Sequence, residues 1–133
     1  MKGSRLRAWW PVALWVAVIA AGSSIPRLRP PLAYVVGIDK AAHFSEYAVL
    51  GFVLFRACAL DPRLGRRSAR SVLALVLLAA LAFGALDEVH QLWIPGRMAS
   101  AFDWIADAFG AIVGASAGAL LRLRRFEQAA PRR

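Results

Sequence analysis

The stretch at residues 71–93, SVLALVLLAALAFGALDEVHQLW, decides the fold because it is long and apolar enough to cross a bilayer. A helix needs about 20 such residues to span the membrane, and a helix pairs its own backbone groups within lipid. Yet this stretch carries Asp87 and Glu88 near its end. A charge at the bilayer centre costs about 2.5–3.5 kcal/mol on insertion scales, so intramembrane carboxylates are rare and usually functional.

Three further apolar runs surround this one, at about residues 9–24, 41–60 and 101–121. The composition agrees, because 59% of the residues are of the AVILMFWYC types and the mean hydropathy is +0.53. Soluble domains carry about 45–50% apolar residues even with glycine counted. We therefore predict a single all-α domain over 1–133, a bundle of four transmembrane helices followed by a basic tail at 122–133.

The first run has an alternative interpretation as a secretory signal peptide. Basic residues precede a short apolar segment that ends in small residues, as in such peptides. Cleavage would leave three spans. The three tryptophans of the run and the internal Pro11 favour a retained helix, and sizing of the mature protein distinguishes the two cases.

The basic residues predict an orientation. Of the 17 lysines and arginines, three lie in the N-terminal segment, five at the end of the second run and in the loop that follows it, and five in the C-terminal tail. The other four are Arg27, Arg29, Lys40 and Arg97. The positive-inside rule then places both termini and the loop between the second and third runs on the cytoplasmic side of the membrane.

The net charge of +9 is thereby explained by topology rather than by nucleic-acid binding. The sequence has no zinc-finger spacing, no RNP-like aromatic strand and no basic amphipathic helix, so we expect no nucleic-acid partner. Cys58 is the single cysteine, which excludes an intrachain disulfide.

With this orientation, polar residues of three helices fall in the outer half of the membrane, each set along one helical face. The sets are Asp39, His43, Glu46 and Tyr47; Gly84, Asp87, Glu88 and Gln91; and Ser100, Asp103, Asp107, Gly110, Gly114 and Gly118. Glycines spaced by four are typical of close helix packing. We therefore predict that the carboxylates face the bundle interior and share one pocket.

Three segments resemble the VanZ family of small membrane proteins: DKAAHFSEY (39–47), DEVHQLWIPGR (87–97) and SAFDWIADAFGAIVG (100–114). The family pattern usually has Asn where this chain has Asp107, which adds a carboxylate here. The family is named for a component linked to tolerance of glycopeptide antibiotics of the teicoplanin type. The resemblance implies a cell-envelope setting and does not specify a reaction.

His43 and Glu88 are the candidate catalytic residues, with Glu88 as a base and His43 as its partner. Arg97 follows Pro95 and Gly96 in a tight turn, and its planar guanidinium suits a carboxylate or phosphate. The alternative for Arg97 is an ion pair with Asp103 or Glu88. His90 points about 60° away from Asp87 on a helical wheel, toward the lipid headgroups.

The candidate ligand-binding residues are Asp39, Lys40, Tyr47, Asp87, Gln91, Arg97, Ser100, Asp103 and Asp107. Structural alternatives exist for several of them. Asp39 can stabilise the start of its helix, Ser100 and Asp103 can form a capping box, Lys40 can anchor at the interface, and Tyr47 can serve in packing.

Two functions follow from this pattern. The first is binding or processing of an anionic or lipid-linked envelope component in a pocket open to the outer leaflet. The second is an intramembrane acid–base or metal-dependent hydrolase or transferase acting on lipid headgroups. Carboxylates suit Mg²⁺ or Ca²⁺, and histidine with carboxylates suits Zn²⁺, so a divalent metal is a candidate cofactor. A third alternative is a self-satisfied polar network that holds the helices in register.

Overall fold

The computed structural model describes residues 2–26 and 38–129 and is all-helical there. The helices are α1 (Lys2–Ser23), α2 (Ile38–Leu60), α3 (Ala69–Gln91) and α4 (Ala101–Ala129). Each contains a segment long and apolar enough to cross a membrane. The predicted all-α class and four spans are therefore confirmed. Arg27, Arg29 and the last four tail residues lie outside the described residues.

The helices extend beyond the predicted spans into charged flanks. α1 begins at Lys2, α2 begins at Ile38, and α4 continues through most of the basic tail. The span prediction counted apolar residues, whereas Lys, Arg, Glu and Gln are good helix formers outside the bilayer as well. α3 behaves differently: it ends at Gln91, two residues before the predicted end, ahead of the turn in which Gly96 has a φ of 77°.

The closest helix pair is α2 with α4, and glycines make this approach possible. The predicted glycines are Gly110, Gly114 and Gly118. A Cβ added at the first would overlap the Phe44 carbonyl, and one at the second would overlap the Ala48 carbonyl. At the third, a Cβ would lie 3.0 Å from the Phe55 ring. The predicted close-packing face of α4 therefore lies directly against α2.

Apolar side chains pack in the interior and also cover the outside of the bundle. Two buried clusters form the core: Phe55, Cys58, Val72, Val76 and Ala115; and Ile19, Tyr47 and Leu50. Large apolar side chains such as Leu78, Leu86 and Phe109 are exposed. An apolar exterior of this extent is unusual for a soluble monomer and suits helices that face lipid.

The end of the bundle at the α2–α3 loop is organised by Asp61. Its Oδ2 accepts hydrogen bonds from Arg5 Nε at 3.0 Å and Trp9 Nε1 at 3.2 Å. Its Oδ1 accepts from the backbone N–H groups of Arg63 at 2.9 Å and Leu64 at 3.4 Å. These bonds, with that from Arg63 first, lower the pKa of Asp61 from 3.8 to about 2. Asp61 thus fixes α1 to the loop, a role absent from the sequence prediction.

Candidate functional site

The polar residues gather at the opposite end of the bundle, where α1 and α3 end and α2 and α4 begin. The buried polar side chains of this end are Ser23, His43, Asp87, Glu88, Gln91, Asp103 and Asp107. On each of α2, α3 and α4 the polar residues share one helical face. On α4 the glycines lie further along the same face, where they pack against α2. The carboxylates face the bundle interior, as the spacing predicted.

The centre of this end consists of His43, Glu88 and Asp107, one residue from each of three helices. His43 Nδ1 lies 3.0 Å from Asp107 Oδ1. One ligand atom from each of the three side chains lies within 4.8 Å of the others. Among the described residues, Asp107 Oδ2 and Glu88 Oε1 are buried without a hydrogen-bond partner. The two candidate catalytic residues are therefore neighbours.

Glu88 also fixes the start of α4. The backbone N–H of Ser100 donates a hydrogen bond to Glu88 Oε2 at 2.6 Å. The capping-box alternative for Ser100 and Asp103 requires that N–H to bond the Asp103 carboxylate. That alternative is wrong, because an α3 carboxylate takes the donor and Asp103 contacts Lys40 instead. Among the described residues, the backbone of Ser100 is thus the hydrogen-bond partner of the central glutamate.

Lys40 lies within the polar end and not only at its edge. Its Nζ contacts Asp103 Oδ1 and lies 3.7 Å from Asp39 Oδ2. Asp39, His43 and Asp103 also offer ligand atoms within 4.8 Å of one another. The ammonium of Lys40 therefore compensates the negative charge of Asp39 and Asp103. Anchoring at the membrane interface is not its whole role.

Asp87 and Gln91 form a connection between α3 and α1. Asp87 Oδ2 accepts a hydrogen bond from Gln91 Nε2 at 3.0 Å and one from Ser23 Oγ at 2.9 Å. Ser23 was not among the predicted site residues, although its place at the end of the first apolar run gave the same predicted membrane depth. The serine satisfies a buried carboxylate oxygen, so this part of the end is more completely paired than the centre.

Arg97 binds the end of α1. Its Nη2 donates to the Gly22 carbonyl at 2.7 Å, and its Nε lies 3.4 Å from the Ile25 carbonyl. The last carbonyls of a helix lack intrahelical donors and favour a cation. These contacts differ from the ion pair with Asp103 or Glu88 that is the alternative role for Arg97. The sequence could not indicate the backbone carbonyls of Gly22 and Ile25 as its partners.

Tyr47 is fully buried beside the centre. Its ring contacts Phe83 with a centroid separation of 6.1 Å, and its hydroxyl has no hydrogen-bond partner within the described part of the chain. Gly84 makes room here, because a Cβ at that position would lie 3.1 Å from Asp107 Oδ2 and 3.4 Å from the Tyr47 ring. The apolar ring of Tyr47 and the carboxylate of Asp107 therefore both lie next to the backbone of Gly84.

His90 lies apart from the centre, on the side facing α1. Its Nε2 is 3.0 Å from Ser24 Oγ, and its side chain is half-buried. α1 also contacts α2, where Trp15 Nε1 donates a hydrogen bond to the Glu46 carbonyl at 2.8 Å. These contacts connect α1 to the rest of the bundle without adding to the central cluster.

The chemistry of this end follows from its donors and acceptors. The imidazole of His43 hydrogen-bonds a carboxylate, an arrangement that can hold or transfer a proton. Glu88 has one oxygen fixed by Ser100 and the other without a protein donor in the described ranges. The carboxylates outnumber the fixed cations Lys40 and Arg97, so the end favours protons or cations as additional partners.

Comparison with known protein families matches residues 4–122 to VanZ/LLP1. Neither the comparison with curated proteins nor that with solved structures gives a match. The matched range includes the three segments that resemble the family, and with them all the central and outer carboxylates described above. The chain, with its four helices long and apolar enough to cross a membrane, therefore belongs to the VanZ/LLP1 family.

Proposed function

We propose that the polar end binds the anionic headgroup of a lipid-linked cell-envelope component. The observation that carries this proposal is the convergence of His43, Glu88 and Asp107, from three helices, in a bundle with an apolar exterior. Ionisable residues within membrane spans usually mark a binding site or a proton path, since their insertion is costly. The arrangement of basic residues supports an extracytoplasmic position for this end, in the inner membrane of a bacterium.

The positive charges required by an anionic headgroup are supplied by Lys40 and Arg97. Lys40 contacts Asp103, and its side chain is 38% exposed, so an incoming phosphate or carboxylate has access to it. Arg97 lies beside this end, where it donates to the carbonyl of Gly22 in α1 and lies near that of Ile25. A guanidinium can bind a phosphate through two parallel N–H···O bonds between opposite charges, which gives both energy and geometric specificity.

Family membership favours an envelope component as the ligand. The family is named for a link to tolerance of teicoplanin-type glycopeptides, which are bulky amphiphiles. We propose that altered antibiotic binding is a secondary effect of a changed envelope component. Loss of the site residues would then remove tolerance and the envelope change together.

A second candidate function is an intramembrane hydrolase or transferase that acts on the headgroup. The specific observation in its favour is the His43–Asp107 hydrogen bond beside a glutamate with one oxygen lacking a protein donor. In this function Glu88 removes a proton from water or an acceptor hydroxyl, while His43 and Asp107 hold the proton given to the leaving group. Lys40 and Arg97 stabilise the negative charge that develops.

The test is extraction and mass spectrometry of the lipids that co-purify with the detergent-solubilised protein. Arg97→Gln removes the site cation, and Arg67→Gln removes an exposed cation at the opposite end as the matched control. We expect a phospholipid or polyprenyl-phosphate with the wild type and Arg67→Gln, and at least about a tenfold loss with Arg97→Gln. Equal lipid in both variants would contradict the proposal.

Turnover separates the two candidates. The retained lipid is returned to the purified protein in mixed micelles, and released headgroup is measured over time. Release that stops in Glu88→Gln, with lipid still bound, identifies the enzyme. Bound lipid without release by the wild type identifies the binder.

A further inference from the structure

We infer that His43, Glu88 and Asp107 bind one divalent transition-metal ion, of the kind represented by Zn²⁺. This inference deepens the proposed function and rests on it for its purpose, because a bound cation would attract an anionic headgroup to a site rich in carboxylates. The binding of the ion itself depends only on these three side chains.

The first argument is the donor set. One imidazole nitrogen and two carboxylate oxygens are ligands that Zn²⁺ accepts, and three protein ligands leave a position open for water or substrate. Imidazole favours zinc and similar ions over Mg²⁺ and Ca²⁺, which prefer oxygen ligands alone. The mixed set therefore indicates a transition metal.

The second argument is distance. One donor atom of each residue lies within 4.8 Å of the other two. His43 Nδ1 and Asp107 Oδ1 are 3.0 Å apart, and two atoms at that separation can both lie about 2.1 Å from one ion. Ligands at tetrahedral angles around an ion are about 3.4 Å apart, so a Glu88 oxygen at the 4.8 Å limit would have to approach by up to about 1.4 Å.

The third argument is that the second oxygen of each carboxylate lacks a donor. Glu88 Oε2 accepts from Ser100 and Asp107 Oδ1 contacts His43, whereas Glu88 Oε1 and Asp107 Oδ2 have no hydrogen-bond partner in the described ranges. Both residues are more than nine-tenths buried, at 7% and 1% exposure. A buried carboxylate oxygen without a partner is costly, and coordination of a cation removes that cost.

Charge compensation distinguishes this triad from the neighbouring one. Asp39 and Asp103, which could join His43 in a second site, already have the ammonium of Lys40 between them. A cation there would be repelled by Lys40 or would have to displace it. Within residues 2–26 and 38–129, neither Glu88 nor Asp107 contacts a lysine or an arginine. The central triad is therefore the site for the ion.

The experiment is Zn²⁺ titration of the tag-free protein in detergent after removal of metal by a chelator. Isothermal titration gives the affinity, and elemental analysis after desalting gives the stoichiometry. The variants are Glu88→Gln, Asp107→Asn and Asp39→Asn, with Glu127→Gln in the last turn of α4 as a control. Circular dichroism and gel filtration establish that each variant is folded.

We expect one ion per chain for the wild type, Asp39→Asn and Glu127→Gln, and at least about tenfold weaker binding for Glu88→Gln and Asp107→Asn. Absence of stoichiometric Zn²⁺ from the wild type would overturn the inference. So would wild-type affinity in the folded Glu88→Gln variant, or loss of the ion in Asp39→Asn alone. If lipid co-purifies while Zn²⁺ does not bind, only this inference fails; if Zn²⁺ binds and no lipid does, only the proposed function fails.

Discussion

His43 on α2 and Asp107 on α4 form a hydrogen-bonded pair, with 3.0 Å between Nδ1 and Oδ1. The pair connects the two helices that pack most closely, because the glycines of α4 bring its backbone against that of α2. The same close packing that stabilises the bundle therefore also sets the distance between these polar atoms. A site built on rigid, closely packed helices keeps its geometry better than one built on loops.

The His43–Asp107 pair should show a measurable coupling in a double-mutant cycle. We expect His43→Ala and Asp107→Ala to be non-additive by about 0.6–1.7 kcal/mol, the range for hydrogen bonds between helices in a bilayer. The free energy of unfolding is measured for both single variants and the double variant in bicelles. Additivity within about 0.3 kcal/mol would show that the two side chains do not interact.

Close packing at Gly114 should be sensitive to one added methyl group. A Cβ there would overlap the Ala48 carbonyl, so we expect Gly114→Ala to lower the melting temperature. Gly22→Ala is the matched control, since a Cβ at Gly22 has no neighbour within 4 Å. Alanine has the higher helix propensity by up to about 1 kcal/mol, so this control should be neutral or stabilising. A Gly114→Ala protein as stable as Gly22→Ala would contradict the packing.

Asp61 should make stability depend on pH in the acid range. Its pKa in the folded chain is about 2, against 3.8 ordinarily, so its stabilising contribution is fully present above pH 3.8. The contribution is lost as the pH falls from 3.8 toward 2, because in this window Asp61 binds a proton more readily in the unfolded state than in the folded state. Asp61→Asn should therefore be less stable than the wild type at pH 6.

The difference in stability between the wild type and Asp61→Asn should shrink as the pH is lowered through this window. Other carboxylates titrate equally in both proteins, so the comparison isolates Asp61. A difference that stays constant from pH 6 to pH 2 would show that the hydrogen bonds from Arg5, Trp9 and the loop do not lower the pKa.

The proposed orientation can be tested by cysteine labelling in cells. Cys58 is replaced by serine, and single cysteines are introduced as Met98→Cys in the α3–α4 loop and Arg67→Cys in the α2–α3 loop. Both positions are exposed, Met98 at 83%. A membrane-impermeant maleimide should label only the cysteine at position 98 in intact cells, and both after lysis. Labelling of the cysteine at position 67 alone in intact cells would show that the orientation is the opposite of the one proposed.

The helices and their inward faces could be predicted because helical periodicity is a local property. The spacing of Asp39, His43 and Tyr47 on α2, and of Asp87, Glu88 and Gln91 on α3, placed each set on one face without knowledge of its partners. The glycine spacing on α4 likewise indicated close packing. His43, Tyr47, Asp87, Glu88 and Gln91 are buried at one end of the bundle, as expected, whereas Asp39 is half-buried there.

The individual partners could not be predicted, since they depend on the depth and rotation of neighbouring helices. Arg97 bonds carbonyls at the end of α1, and the N–H of Ser100 bonds Glu88. Which distant side chain meets a backbone group at a helix end depends on how the helices pack, and the local sequence pattern does not specify that. The role of Asp61 could not be predicted, because its partners Arg5 and Trp9 lie more than fifty residues away along the chain.

Nuclear magnetic resonance of the imidazole nitrogens tests the convergence of three helices most directly. The chain has two histidines, so His90, which contacts Ser24, provides an internal reference. We predict that Asp107→Asn and Glu88→Gln each shift the ring signals of His43 and leave those of His90 in place, while Asp61→Asn shifts neither. An unchanged His43 signal in folded Asp107→Asn and Glu88→Gln proteins would contradict a shared polar centre.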